Sequence, residues 1–409
     1  MKRKHVFLNL LLATLLISVV VHSCKKDDPE PLTLSSLAAG TIDLNGATSP
    51  ANVPVMPTIT ATFNVPVDPA TVTAATIKMI QDYDDAPIEL DLTLDDKVIT
   101  ITPTSDLGTG TLYLLEFTGL KSTDGLALTS VQRTFTTEGA FSPAGAIAHF
   151  TFEDNANDVV GTYDPLAADI IDITYTASRN AAAGKAATFN GTTSIIEVPN
   201  GDDLMNTTFS MAYWIKTNSA EKTTPHFVMG LAAWYGFYVE MFGAYDGAQI
   251  KMQFQQANQT VSSDDAMWFP ALADVSFSGW TYAKSLTIAE MTALLKDTWL
   301  HVVFTFDGPT KVATLYYNGV KMKSFDFNLY PDDHVLKGAI GPKYAGSAVG
   351  NNLALGFIQG RNNRFVADVW ADYADPANNH FKGQLDDIRF WHKTITASEA
   401  LLMYNSEKP

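Results

Sequence analysis

Phe381-Lys-Gly-Gln-Leu-Asp-Asp-Ile-Arg-Phe-Trp391 is the stretch on which the fold turns. Read as a strand, it sends Leu385, Asp387, Arg389 and Trp391 to one face and Gln384, Asp386, Ile388 and Phe390 to the other. A short helix follows. Thr396 is its N-cap, Glu399 completes a capping box three residues on, and Ala400, Leu401, Leu402 and Tyr404 supply a packing face. A strand that arrives this late in the chain needs a sheet already waiting, so its neighbours lie upstream, from about Ile147 onward.

The upstream residues meet that requirement. Ala146-Ile-Ala-His-Phe-Thr-Phe152 alternates as a strand and runs into a turn closed by Asp158-Val-Val-Gly161. Ala186 to Val198 reads as two strands around Asn190-Gly191, and Phe209 to Lys216 as a strand with Phe209, Met211, Tyr213 and Ile215 on one side. Trp299–Phe306 and Lys311–Tyr317 form a hairpin, and Asn318-Gly319 then turns the chain into Val320–Phe325. Asn-Gly suits the two positive-φ positions of a type I′ turn, which makes this the most specific local signal. His301, within the first hairpin, reads as a hydrogen-bonded sheet residue, because no second His or carboxylate stands at a usable spacing.

Together these segments resemble the laminin-G-like branch of the concanavalin A-like lectin/glucanase family, whose fold is a jelly-roll β-sandwich. The resemblance spans residues 146–409 and implies a glycan-associated binding module. Two stretches are longer than a compact member needs. Ala220 to Asp297 carries Trp234, Phe237, Trp268 and Trp280 and a second capping box, Thr287-Ile-Ala-Glu290; Tyr330 to His380 carries Arg361, Arg364, Trp370 and Tyr373. Sugar sites on this fold set aromatic rings against the pyranose and planar amide, carboxylate or guanidinium groups against its hydroxyls. The expected ligand-binding residues are therefore Trp268, Trp280, Arg361, Arg364, Trp370 and Tyr373. The alternative for Trp234 to Phe242 is two additional core strands, since Phe237, Val239 and Met241 alternate.

The same resemblance implies one structural Ca²⁺ between the turn after the first strand and the closing strand, with Asp158 and Asp386 as ligands and backbone carbonyls completing the shell. The alternative is that Asp158 caps a turn and Asp386 pairs with Arg179 or another base. Asp386 and Asp387, on opposite strand faces, are expected not to act together. No Glu-x-Asp-x-x-Glu strand, nucleophile elbow, His-Glu-x-x-His or phosphate loop occurs in the second domain. No catalytic residue is assigned, and the chain reads as non-catalytic. The rivals are a glycoside hydrolase or lyase, which needs a converging carboxylate pair, and a protein-binding adhesion module, which needs an exposed apolar patch.

Residues 32–138 alternate in short runs such as Thr58–Phe63, Ile88–Leu94, Val98–Thr102 and Leu112–Phe117, the mark of an all-β sandwich. Phe63-Asn-Val-Pro-Val-Asp68, Leu107-Gly-x-Gly-Thr-Leu-Tyr113 and Thr134-Phe-Thr-Thr137 resemble the bacterial Ig-like family, whose members are mostly spacers. Glu89, Asp91 and Asp95 share a strand face there, but the intervening Leu and Ile make that face a wet one rather than an active site. Residues 139–145, rich in Gly, Ala, Ser and Pro, form a linker.

At the other end, Lys2-Arg3-Lys4 and an apolar run from Val6 to Val21 read as a signal peptide over residues 1–23, too short to span a membrane. Val21-His-Ser-Cys24 resembles a lipobox, with His22 a departure. Cys24, the only cysteine, is thus the expected lipidation site, followed by a polar tether over residues 24–31. Lys25-Lys26-Asp27-Asp28 resembles the export signal of Bacteroidetes-type surface lipoproteins, which implies an outer-membrane protein facing the cell exterior. The net charge of −17 becomes more negative once the leader is removed, and phosphate backbones would be repelled, which argues against nucleic-acid partners.

Overall fold

The computed structural model describes residues 29–272, 281–362 and 369–409. The chain is all-β and forms two compact units that divide at Gly139/Ala140.

In the first unit, a sheet of Ile42–Asp43, Leu34–Ala39, Ile59–Phe63, Val98–Pro103 and Leu90–Asp95 faces a second of Pro87–Ile88, Ile77–Gln81, Leu112–Phe117 and Val131–Thr136. Leu37, Ile59, Ile101, Tyr113, Leu115, Phe117 and Phe135 are among the residues buried between them. Glu89, Asp91 and Asp95 all point to solvent while Leu90, Leu92 and Leu94 turn inward.

The second unit is a larger sandwich. One sheet runs Thr174–Ala177, Lys185–Asn190, Lys382–Trp391, Phe209–Thr217, Trp299–Asp307, Val312–Tyr317, Val320–Asp326, Thr281–Ala283, and Ala146–Phe150 pairs with the far half of Lys382–Trp391. We call this the nine-stranded sheet. The other, eight-stranded, runs Ile170–Ile171, Ile195–Val198, Leu353–Leu355, His226–Leu231, Phe237–Met241, Gly247–Gln256, Val261–Pro270, with Ala339–Pro342 also pairing Gly247–Gln256. Residues 226–270 of the long stretch after Ala220 therefore add strands to the sandwich rather than a separate helical unit, and Phe237, Val239 and Met241 enter the main core. Asn318 and Gly319 adopt the expected left-handed conformations, at φ 50° and 74°. Both capping boxes form, at Thr287/Glu290 on the helix Ile288–Leu295 and at Thr396/Glu399 on the helix Ala397–Glu407.

The closing strand departs from simple alternation. Ala212 pairs with Arg389 and Trp214 with Asp386, so Asp387 and Ile388 on the closing strand together oppose the single Tyr213, and Asp387 takes φ 45°. This is a β-bulge. It places Leu385 in the core together with Ile388 and Phe390, correcting the expected faces. It also overturns the expected separation of the two carboxylates, because Asp386 and Asp387 both bond Arg179, at 2.5 and 2.6 Å.

Candidate functional site

The outward face of the eight-stranded sheet follows from its inward one. Ala248, Ile250, Met252 and Phe254 fill the core, so Gln249, Lys251 and Gln253 face out, as do Tyr238 and Glu240 between Phe237, Val239 and Met241. The register lines these up in rows across three strands, Glu240–Gln249–Trp268 and Tyr238–Lys251–Asp265. Glu240 Oε2 accepts a hydrogen bond from Gln249 Nε2 at 2.5 Å, and Lys251 Nζ lies 3.7 Å from Asp265 Oδ1. Burial raises the Glu240 carboxyl above the usual carboxylate range, against the lowering effect of the Gln249 bond; burial likewise raises Asp265, against the attraction of Lys251. At one end of the strip Trp268 is 41% exposed, with its ring 4.9 Å from that of Phe242.

The other end is built by residues 356–362 and 369–380. Trp370, 36% exposed, stacks on Trp234 at 5.4 Å and 25° and meets the edge of Phe227 at 5.8 Å. Beneath them Phe227, Tyr238, Phe357 and Ile358 form a satellite apolar cluster on the outside of the sheet. Tyr373 packs edge-on against Phe357, and its hydroxyl donates to the Thr193 carbonyl. Arg361 Nε bonds Glu197 Oε2 at 2.5 Å, its backbone N–H donates to Glu197 Oε1 at 2.7 Å, and Nη2 reaches Asp169 at 2.8 Å. Glu197 is itself almost fully buried, so Arg361 pins the loop to the sheet.

Of the expected ligand-binding residues, Arg361, Trp370 and Tyr373 thus gather at one end of this face and Trp268 stands at the other. Trp280 and Arg364 lie outside the described residues, as does Cys24. Tyr238, Gln249 and Lys251 were not singled out from sequence. The signal for them was present in the alternation of residues 237–241 and 247–256, once the inward set is known.

Asp158 and Asp386 belong to two different networks. Asp158 Oδ1 accepts from the backbone N–H groups of His149 and Val160 at 2.8 and 3.0 Å, and Oδ2 from Gly161 and Tyr163 at 2.9 and 3.3 Å. A Cβ at Gly161 would stand 2.5 Å from the Ile147 carbonyl, which explains the glycine. Asp386 instead accepts from Arg179 and Ser178. Asp387 also bonds His149 Nε2 at 2.8 Å and Arg389 Nη2 at 3.2 Å. Glu407, from the terminal helix, bonds Arg389 Nη1 at 2.6 Å and Trp214 Nε1 at 2.7 Å. Arg179 lies 4.7 Å over the Trp214 ring. Burial and the neighbouring Asp387 push Asp386 up to about 8, whereas Asp387, despite its own burial, is held well below the carboxylate range by Arg389, His149 and Arg179. Calcium takes six to eight oxygens. Four N–H groups on one carboxylate and a guanidinium on the other do not fit that cage, and among the described residues no three His, Cys, Asp or Glu side chains are placed to hold a metal.

His301 is fully buried beside Trp214, at 5.0 Å, and Tyr404, at 6.5 Å, and burial lowers it to about 3. Neither ring nitrogen finds a hydrogen-bond partner among the described residues. It is a neutral stacking element rather than the hydrogen-bonded sheet residue expected.

Sandwich topology defines an all-β chain in which an Ig-like sandwich precedes a jelly-roll sandwich. More particularly, residues 40–137 match the bacterial Ig-like domain family, and residues 190–358 match the concanavalin A-like lectin/glucanases superfamily. None of the curated proteins compared matches the chain. Among solved structures it is similar to domain 4 of an extracellular arabinanase from Geobacillus stearothermophilus, in complex with arabinotriose, at 19% identity and a TM-score of 0.35 over 64% of this chain and 100% of that one. It is also similar to the botulinum neurotoxin serotype D ligand-binding domain in complex with N-acetylneuraminic acid, at 12% identity and a TM-score of 0.39 over 64% of this chain and 51% of that one. The binding domain of Paraclostridial Mosquitocidal Protein 1 shows 14% identity and a TM-score of 0.38 over 64% and 52%.

Proposed function

We propose that the second domain binds a polysaccharide without cleaving it, displayed outward from a lipid-anchored outer-membrane protein in which the Ig-like domain is a spacer. One observation carries the glycan reading. Two half-exposed aromatic platforms, Trp370 on Trp234 and Trp268 on Phe242, bracket a strip of amide, carboxylate, ammonium and phenol groups on a single sheet face. Rings of this kind cover the apolar side of a sugar while planar polar groups meet its hydroxyls. Two strands and two residues separate Glu240 from Asp265, a backbone distance of about 12 Å at ordinary sheet spacings.

A hydrolase reading has one observation in its favour: Glu240 and Asp265 share the face and both are raised by burial. A glycan array with the detergent-solubilised full chain, followed by a reducing-sugar assay on each hit, separates the two. Binding with no sugar released is expected, and released sugar that stops with Glu240→Gln transfers the case to the hydrolase. The anchor rests on Cys24 and its flanking sequence; labelling with a radioactive fatty acid should be lost in Cys24→Ala, and persistent labelling would remove that part of the proposal.

A further inference from the structure

The nine-stranded sheet carries a groove on its own outward face. Its register places Thr188 opposite Gln384 and Gln384 opposite Lys216, one polar row across three strands. Thr176 and Thr188 hydroxyls lie 2.6 Å apart, and Gln384 Nε2 donates to Thr176 Oγ1 at 2.9 Å and to the Ala177 carbonyl at 3.1 Å. Gly383 makes the groove's floor possible. Its φ is 149°, and a Cβ there would stand 2.2 Å from the Lys216 carbonyl, so only glycine lets the closing strand lie this near its neighbour. The groove encloses about 440 Å³, and Lys216, Asn218, Asp297 and Gln384 form part of its wall.

Its charges are not equally available. Asp297 already accepts from the backbone N–H and the hydroxyl of Ser219, at 2.7 and 2.6 Å. The Lys216 ammonium group has neither a hydrogen bond nor an ion pair among the described residues, although its charge reaches Asp297. Lys382, on the closing strand two residues before Gln384, donates to the Ala220 carbonyl at 2.5 Å, and its charge adds to burial in lowering Lys222 to about 8. In a chain of net charge −17, Lys216 is thus the ammonium group of the groove's wall that is left for a ligand, with Lys382 engaged away from it.

We propose that this groove is a second carbohydrate subsite, one that takes a sugar bearing an anionic group, a uronate carboxylate or a sulfate ester. Lys216 meets the anion, and Gln384 with the threonine hydroxyls meets the ring hydroxyls. Among the described residues no large exposed aromatic ring lines the groove, so recognition here rests on charge and hydrogen bonds, whereas the opposite face relies on stacking.

The test is calorimetric titration of the full chain with trigalacturonate, a sulfated galactose trisaccharide and neutral galactotriose, at low and high salt. At least one charged sugar is expected to bind, with affinity that falls as salt rises. Lys216→Met should weaken that binding by about tenfold and Gln384→Ala by less, while Trp370→Ala leaves it unchanged. The proposal is overturned if neither charged sugar saturates, if Lys216→Met binds them like the parent while its melting curve is unchanged, or if Trp370→Ala abolishes their binding. The last result would move charged sugars to the aromatic face, so failure here and failure of the aromatic-face reading remain distinguishable.

Discussion

The outward faces of the two sheets of the second domain obey the same alternation and have opposite fates. Under the terminal helix, the nine-stranded sheet buries Arg179, Arg389, Asp386, Asp387 and Glu407 against one another, each ionisable group with a partner within 3.2 Å. On the outer side of the eight-stranded sheet, Trp268 and Trp370 keep 41% and 36% of their surface open. Where charge is desolvated and paired, the chain is held together; where rings are left half-wet beside polar groups, it is free to meet something else. The comparison predicts that substitutions under the helix act on stability and substitutions on the aromatic face act on binding.

The largest effect should come from opening the buried network. Arg179→Ala strands Asp386 and Asp387 without their shared guanidinium, and breaking a buried pair in this way costs about 3–5 kcal/mol. Urea denaturation followed by tryptophan fluorescence should show the second domain unfolding at much lower denaturant, since Arg179 lies against Trp214. Arg361→Ala, whose side chain is 26% exposed, should cost about 1 kcal/mol. Equal losses at the two positions would erase the distinction between the faces.

Next in size is the pH dependence of stability. Buried His226 and His301 are lowered to about 3, so the unfolded chain binds protons that the folded one refuses, and stability is lost as pH falls below the unfolded histidine value of about 6.5. Asp386 runs the other way. Raised to about 8, it keeps a proton in the folded state that the unfolded chain has released, so its contribution is fully present below the unfolded carboxylate value and fades as pH rises toward 8. A melting temperature highest near neutral pH, falling on both sides, is the expected profile. His301→Phe should flatten the acid limb, because a ring with two unpartnered nitrogens gives way to an apolar one of similar shape. An unchanged acid limb in that variant would return the effect to other groups.

A smaller effect is expected on the open face. Trp370→Ala should weaken glycan binding by about tenfold, or 1.4 kcal/mol, with the buried network untouched. If binding survives in Trp370→Ala and in Trp268→Ala, the aromatic face is not the site.

How much of this the chain announced varies with how local the cause is. Asn318-Gly319 and the two capping boxes were legible because each is decided by neighbours in sequence. The aromatic face was half legible. Trp268, Arg361, Trp370 and Tyr373 stood out as residue types, but what each is for depends on strand order. Arg361 turns out to brace Glu197 and Asp169 across 164 and 192 residues, which no spacing reveals. The bulge at Asp387 was not legible, because it arises from pairing with Phe209–Thr217, and without it strict alternation divides the two carboxylates that the fold unites on Arg179.

The smallest expected effect is that of calcium on the turn after the first strand, which Asp158 closes. All four of its hydrogen bonds come from backbone N–H groups, so its charge is spent in stabilising donors that would otherwise be orphaned. Asp158→Asn keeps one acceptor oxygen but turns an NH₂ group toward two N–H donors, which should lower stability by about 1–3 kcal/mol, the cost of unsatisfied buried groups. Calcium should change neither protein. Melting curves of parent and Asp158→Asn, each with 1 mM-scale calcium and then with excess EDTA, should coincide within each pair, because a cation would have to displace those donors and Arg179 to reach both carboxylates. A calcium-dependent rise in the parent that Asp158→Asn abolishes would show a metal holding the turn, and would make this turn, rather than either face, the part of the domain most sensitive to its surroundings.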